Sequence, residues 1–483
     1  MVFSLFQKPK LLITSVEKVN LESEVLRLAE FFDLFKSEST EWVMPENYVG
    51  NLDSSNESVT ELFESLLERL EIDASRVRLH FSLEEVSTVS GMVLTHNSDS
   101  AIDTNSKQLR SDFKSDVVVG SNVVYSAVPS ELVRILVTEK LILNGYADVN
   151  DVDLGFSAEV ATALFGFGLF TVNETVACNQ VTSAMTSYFS IKKLGAINSF
   201  GIGFLLALIG WKSGRSDRNI ANYLRPDAAL SFKRSLKYLD KTNDSLLADH
   251  NLLRLESSSS ISALEAYLKT DSASTLIWVM RLIESRSELP RDTGQIKPTL
   301  FGLLDHKDQF VNQLALHLIS FAEKLDDNET VRLAKVTQSK DEWSNAVAAN
   351  VLSKHLPFEQ LETDFSRLLQ RSDHSAAANV AQIANRYGTE ASKFSDGVCD
   401  RIRVALNRCD FFLGKWYVLI LMSISENARN QVEQFFADDE DLYRGAIELI
   451  DDAVDVTQIN PNEAKPAPAE IKDEFVVPAW INI

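Results

Sequence analysis

The segments HKDQFVNQLALHLI (306–319) and SKDEWSNAVAANVL (339–352) decide the fold class. Each sets an aspartate, Asp308 or Asp341, just ahead of an apolar stripe at helical spacing. In the first segment the stripe is Val311, Leu314, Ala315, Leu318 and Ile319. An Asp in that position caps free N–H groups of the first helical turn and complements the helix dipole. Residues at i, i+3, i+4 and i+7 then share one helix face. The arrangement recurs in KTDSASTLIWVM, RSDHSAAANVAQIA, NRCDFFLGKWYVLILM and DDEDLYRGAIELI, which supply Asp271, Asp373, Asp410 and Asp441. In the fifth copy the stripe is Leu413, Trp416, Tyr417, Ile420 and Leu421. Successive aspartates stand 37, 33, 32, 37 and 31 residues apart. A period in the thirties predicts helix pairs stacked as an α-solenoid, each burying its apolar face only on its neighbours.

This pattern resembles HEAT repeats over residues 255–455. Upstream, residues 1–125 mix helical runs such as VTELFESLLERLEI with β-branched stretches, RVRLHF (76–81) and DVVVGSNVVYSA, predicting a small α+β region. From Pro129 onward the periodicity is helical almost to the end, so residues 126–250 read as a helical domain. Pro129 suits a first helical turn and Asn144-Gly145 a helix stop. Residues 456–483 are rich in Pro and charge and read as a tail, whose apolar end, EFVVPAWINI, is expected to fold back on the solenoid. The expected class is mainly α.

The chain's 69 acidic residues outnumber its 47 basic ones, for a net charge of −22. Such a surface repels phosphate backbones and anionic lipid, so nucleic acid and membrane are not expected partners. Cys178, Cys399 and Cys409 are scattered, with no CxxC pair, and fit buried thiols in a reducing compartment. No signal-peptide pattern opens the chain, and a cytoplasmic location is expected. LGAINSFGIGFLLALIGW (194–211) approaches the roughly 20 apolar residues of a membrane span, but Asn198, Ser199 and its glycines favour a buried helix. DVNDVDLGFSAE (148–159) fails as a calcium loop because Val152 and Asp153 stand where a ligand and a glycine are needed. GFG (166–168) lacks the strand-to-helix setting of a dinucleotide loop, and no Gly-x-Ser-x-Gly elbow occurs. No cofactor is expected.

One residue stands out against this background. In ELVRILVTEKLILNGY (131–146), Glu139 sits in an otherwise apolar helix, and Glu159 opens the next run, SAEVATALFGFGLF. A carboxylate on a face that tends to be buried is costly unless paired or hydrogen-bonded. Arg134, Lys140 or solvent are the partners that sequence proximity offers.

VPSELVRILVTEKLILNGY, SAEVATALFGFGLFTVNETV and SFKRSLKYLDKT, in that order, together with the stretch from MPENYVG to RVRLHF, resemble an uncharacterised bacterial family of zincin-type proteins over about 1–245. The resemblance implies a His-Glu-x-x-His helix, whose histidines at i and i+4 bind Zn²⁺ while the Glu acts as general base, and a third, acidic ligand on the next helix. It aligns the first His with Thr138, the Glu with Glu139, the second His with Ile142 and the third ligand with Glu159. Both imidazoles are therefore missing, and one or two oxygens do not hold zinc against cellular ligands. His80, His96, His250, His306, His317, His355 and His374 show no metal-ligand spacing and read as ordinary residues.

The expectation is a non-catalytic interaction protein, a vestigial zincin-like domain joined to a HEAT-like array that binds a protein partner. The eight acidic residues between 438 and 455, against the single Arg444, suggest that the partner presents a basic surface. The alternative is a metal-dependent hydrolase with a non-standard site around Glu139 and Glu159.

Overall fold

The computed structural model describes residues 10–34, 42–44, 55–88, 90–98, 100–101, 109–173, 176–182, 187–193, 195–214, 218–249, 251–287 and 289–457. The chain forms two compact units, Met1–Arg254 and Leu255–Ile483. It is mainly α-helical, with a small sheet near the N-terminus.

In the first unit, helices α1 (Ser15–Phe31) and α2 (Asn56–Arg69) precede strands β1 (Val77–Phe81), β2 (Met92–His96) and β3 (Ser115–Val119). β3 is central, parallel to β1 and antiparallel to β2. The expected strand after Val119 does not continue, because residues 125–127 turn into a short 3-10 segment that leads into helix α3 (Val128–Leu143). Pro129 lies in the first turn of α3; Asn144 is its C-cap and Gly145 takes φ +73°. Helices α4 (Leu154–Leu164), α5 (Gly168–Asn173), α6 (Ser199–Lys212) and α7 (Pro226–Thr242) complete the unit.

The uninterrupted helical reading after Pro129 needs correction. An antiparallel pair, β4 (Val176–Thr182) and β5 (Ser187–Lys193), stands between α5 and α6. Helix α6 has 14 residues and is buried along nearly its whole length, with the Asn198 side chain accepting from Gly201 N at its start. Among the described residues, no helix is long and apolar enough to cross a membrane.

The second unit is a succession of helix pairs: α8 (Ile261–Tyr267) with α9 (Ala273–Glu284), α10 (Leu289–Leu303) with α11 (Gln309–Ile319), and α12 (Asp327–Val336) with α13 (Glu342–Leu352). Then follow α14 (Phe358–Leu369) with α15 (His374–Tyr387), α16 (Ser395–Asn407) with α17 (Phe411–Ile424), and α18 (Ala428–Phe435) with α19 (Glu440–Thr457). The second helix of each pair packs on the second helix of the next, from α9 to α19.

Local capping chemistry starts these helices. Asp308, Asp341, Asp373 and Asp410 are the N-caps of α11, α13, α15 and α17, each accepting from a backbone N–H two or three residues on. Two expected caps shift. Ser272, not Asp271, caps α9 by accepting from Thr275 N; Asp441 lies inside the first turn of α19, where Asp439 accepts from Leu442 N. A serine hydroxyl or a neighbouring carboxylate meets the same orphan donors, so a displacement of one or two residues costs the helix little.

The stripe residues close the core between neighbours. Leu413, Tyr417, Ile420 and Leu421 of α17 are buried, whereas Trp416 is only half-buried. The polar residues between the second helices form a ladder. Asn350 Nδ2 donates to Gln382 Oε1 at 2.6 Å and to Asn379 Oδ1 at 3.0 Å, and Arg386 donates to Asn350 Oδ1. Toward the other end of α13, Arg371 donates to Asn345 Oδ1 at 2.7 Å, just ahead of α15. N-terminal residues therefore meet N-terminal residues, and C-terminal ones meet C-terminal ones: α13 and α15 run in the same direction. The proposed tail beyond Thr457, including EFVVPAWINI, lies outside the described residues.

Candidate functional site

Helix α3 lies against the small sheet, and the sheet's register chooses what meets Glu139. Along β3, Ser115, Val117 and Val119 face inward. In the antiparallel pairing, Ser115 stands directly opposite His96, Val117 opposite Leu94 and Val119 opposite Met92. Directly opposed residues project on the same side of a sheet. One apolar face thus ends in a polar pair, Ser115 and His96, and Glu139 projects from α3 onto that pair.

The Glu139 side chain is fully buried. Ser115 Oγ donates to its Oε1 at 2.7 Å, and His96 Nε2 lies 3.2 Å from its Oε2. The imidazole is stacked on Phe113, ring centroids 5.3 Å apart. With Nε2 protonated, both carboxylate oxygens accept a hydrogen bond, which is the condition for burying such a group. Neither neighbour in sequence fills this role. Arg134 pairs with Glu131 and donates to Thr171 O, while Lys140 Nζ donates to Leu70 O and lies over the Phe32 and Phe165 rings. The expected partners, Arg134, Lys140 or solvent, give way to two strand residues 24 and 43 positions away in the chain.

The order of the three groups limits their chemistry. Nucleophilic catalysis of the Ser-His-acid type sets the imidazole between hydroxyl and carboxylate, so that the ring removes the hydroxyl proton. Here the carboxylate occupies the middle, and the serine hydroxyl points its proton at the acid. Ser115 is 1% exposed, so the group acts as an internal clasp between sheet and helix.

The other positions implied by the zincin resemblance are otherwise engaged. Thr138 Oγ1 donates to Arg134 O, and Ile142 is buried in a small apolar cluster with Ala101 and Phe113. Glu159, on α4, accepts from Ile197 N at 2.6 Å, with Arg134 Nε 3.9 Å from its other oxygen. Gly195 (φ +85°) passes so close that a Cβ there would overlap the Glu159 carboxylate. Arg134 and Glu139 are five residues apart, hence about 140° apart around the helix. Glu159 and Glu139 therefore engage different sides of α3. These residues do not fit a zinc site. Among the described residues, no group of three His, Cys, Asp or Glu side chains is placed to hold a metal ion.

The rejected calcium-loop segment also has a local role. Asp148 accepts from Ser100 Oγ at 2.6 Å, Ala101 N at 2.9 Å and Val149 N at 2.8 Å. Burial pushes its carboxyl upward, but these hydrogen bonds outweigh it and hold the pKa below the ordinary aspartate value.

His96 is the residue that the sequence reading passed over. Its signal was the alternation in MVLTH, which places His96 on the same side as Met92 and Leu94, but only the pairing with β3 brings it to Ser115. His250 lies outside the described residues. No protein-family model, curated protein or solved structure matches the chain.

Proposed function

We propose that this chain is a non-catalytic interaction protein whose HEAT-like helix-pair array binds a protein partner, with a vestigial zincin-like domain ahead of it. The observation that most supports the reading is the continuous succession of second helices from α9 to α19. Side chains from many repeats contribute to one extended surface in such stacks, which suits them to gripping another chain. The clasp of Glu139 by Ser115 and His96 supports a structural role for the one carboxylate that could have been a general base.

The partner surface is basic, and α19 is where it docks. Part of the acidic excess there is already answered within the fold: Asp451 pairs with Arg429, Asp452 with Lys415 and Glu440 with Arg444. Asp438, Asp441 and Glu448 have no ion pair among the described residues and are exposed. The test is recovery of partners from the native host on the full chain and on an Asp438→Lys/Asp441→Lys/Glu448→Lys variant at increasing salt. The reading expects a partner whose recovery falls with salt and is lost in the variant. Equal recovery from both proteins removes α19 as the docking element. A metal-dependent activity that survives in an otherwise clean preparation overturns the non-catalytic reading.

A further inference from the structure

Helix α17 begins with two bare aromatic rings. Phe411 and Phe412, the first residues after the Asp410 cap, are 57% and 55% exposed, more than any other phenylalanine among the described residues. Leu413, Tyr417, Ile420 and Leu421 set the core face of the helix, and its period turns positions 411 and 412 away from that face. Phe412 has ring neighbours. His374 of α15 lies against it with centroids 5.2 Å apart, and the half-buried Trp416, one turn further on, meets it edge to face at 6.4 Å. Phe411, Phe412 and Trp416 thus make one aromatic patch, and clustered exposed apolar groups, unlike single ones, mark interaction sites.

The same end of the second unit carries a segment able to cover them. Lys415 of α17 pairs with Asp452 of α19, Nζ to Oδ2 3.2 Å. Asp452 stands five residues before the end of α19 at Thr457, so the chain leaves that helix within about 30 Å of Phe412. The next seventeen residues, 458–474, span up to about 55 Å when extended. They lead to FVVPAWINI (475–483), a stretch with no charged side chain in a protein of net charge −22.

We propose that residues 475–483 dock on the Phe411, Phe412 and Trp416 patch of their own chain, with Phe475 and Trp480 supplying the facing rings. Aromatic side chains bury large apolar areas and favour edge-to-face contact, as Phe412 and Trp416 already show. The segment brings no side-chain charge that docking would have to strip of water. Tethering decides between this occupant and a second copy of the protein. A segment joined to the same chain acts at about millimolar effective concentration, which a second copy in a micromolar solution does not reach.

The test is hydroxyl-radical footprinting of the full chain, read side chain by side chain by mass spectrometry, with the exposed Phe81 of the first unit as internal standard. At millimolar effective concentration, an intrinsic dissociation constant of about 0.1 mM leaves roughly one molecule in ten undocked. Labelling of Phe411 and Phe412 should therefore rise about tenfold in a Phe475→Ser/Trp480→Ser variant. Labelling of Trp480 should rise in turn in a Phe411→Ser/Phe412→Ser variant, whose substituted side chains are exposed and whose fold is checked by circular dichroism. Both changes should be independent of protein concentration. Equal labelling of Phe411 and Phe412 in the wild type and the tail variant overturns the proposal, as does a Trp480 that stays protected when the patch is removed. Protection of the patch that grows with protein concentration overturns it too, and assigns the surface to a second copy.

Discussion

Replacing Glu139 by alanine removes one acceptor group and strands two donors, the buried Ser115 hydroxyl and the partly buried His96 ring. Ser115 Oγ, in a residue 1% exposed, has its hydrogen bond to Glu139 Oε1 and loses it; His96 Nε2 loses Oε2. Each stranded donor costs about 1–3 kcal/mol, and breaking a buried pair by removing one partner costs about 3–5 kcal/mol in all. Glu139→Gln keeps the volume and an oxygen for Ser115, and its amide donates to His96 in the ring's other tautomer, so only charge assistance is lost. That variant should cost about 1–2 kcal/mol. Because the chain has two compact units, a single melting curve is a poor assay. Hydrogen exchange read on peptides covering β2, β3 and α3, at graded denaturant, isolates the unit concerned. The expected order is wild type, then Gln, then Ala, with the loss concentrated in those peptides. An alanine variant within about 1 kcal/mol of wild type would refute the clasp, because no buried charged group held by two bonds should be removable at so small a cost.

Other expectations follow from the same structure. Tyr417 is fully buried and its hydroxyl donates to Arg371 O, so Tyr417→Ala should cost about 3–5 kcal/mol, against about 1 kcal/mol for removing the Asp308 cap; chemical denaturation of the second unit measures both. Asp148 has its folded pKa held below the unfolded value, so its contribution is present above the unfolded pKa and fades as pH falls through the folded one. Asp148→Asn should accordingly flatten the acid side of the stability profile, as read from denaturation midpoints between about pH 6 and 2. Thr138→His/Ile142→His should fail to gain tight zinc affinity, since position 142 lies in an apolar cluster and Glu159 is held by Ile197 N; zinc titration with a competing chelator would show otherwise.

What the sequence by itself determined was local. A cap reaches only two or three residues along the chain, and Asp308, Asp341, Asp373 and Asp410 were legible for that reason. The mainly helical class followed from the periodic stripes that those caps introduce. Even here the finer choice depended on the assembled turn, as Ser272 and Asp439 displaced the expected Asp271 and Asp441. The stripe marked a face but not its centre: Tyr417 lies inside and its neighbour Trp416 remains half-exposed, because the packing of adjacent helices sets where the face is deepest.

The environment of Glu139 was decided only by tertiary structure. Its sequence neighbours Arg134 and Lys140 were available candidates, yet helix geometry turns them to other partners. His96 and Ser115 become adjacent only when β2 and β3 pair in one particular register, and a slip of one residue would send both to the opposite face. Register is settled by the cooperative burial of Met92, Val117 and Val119, and such non-local pairing leaves no mark in the helix that carries the glutamate.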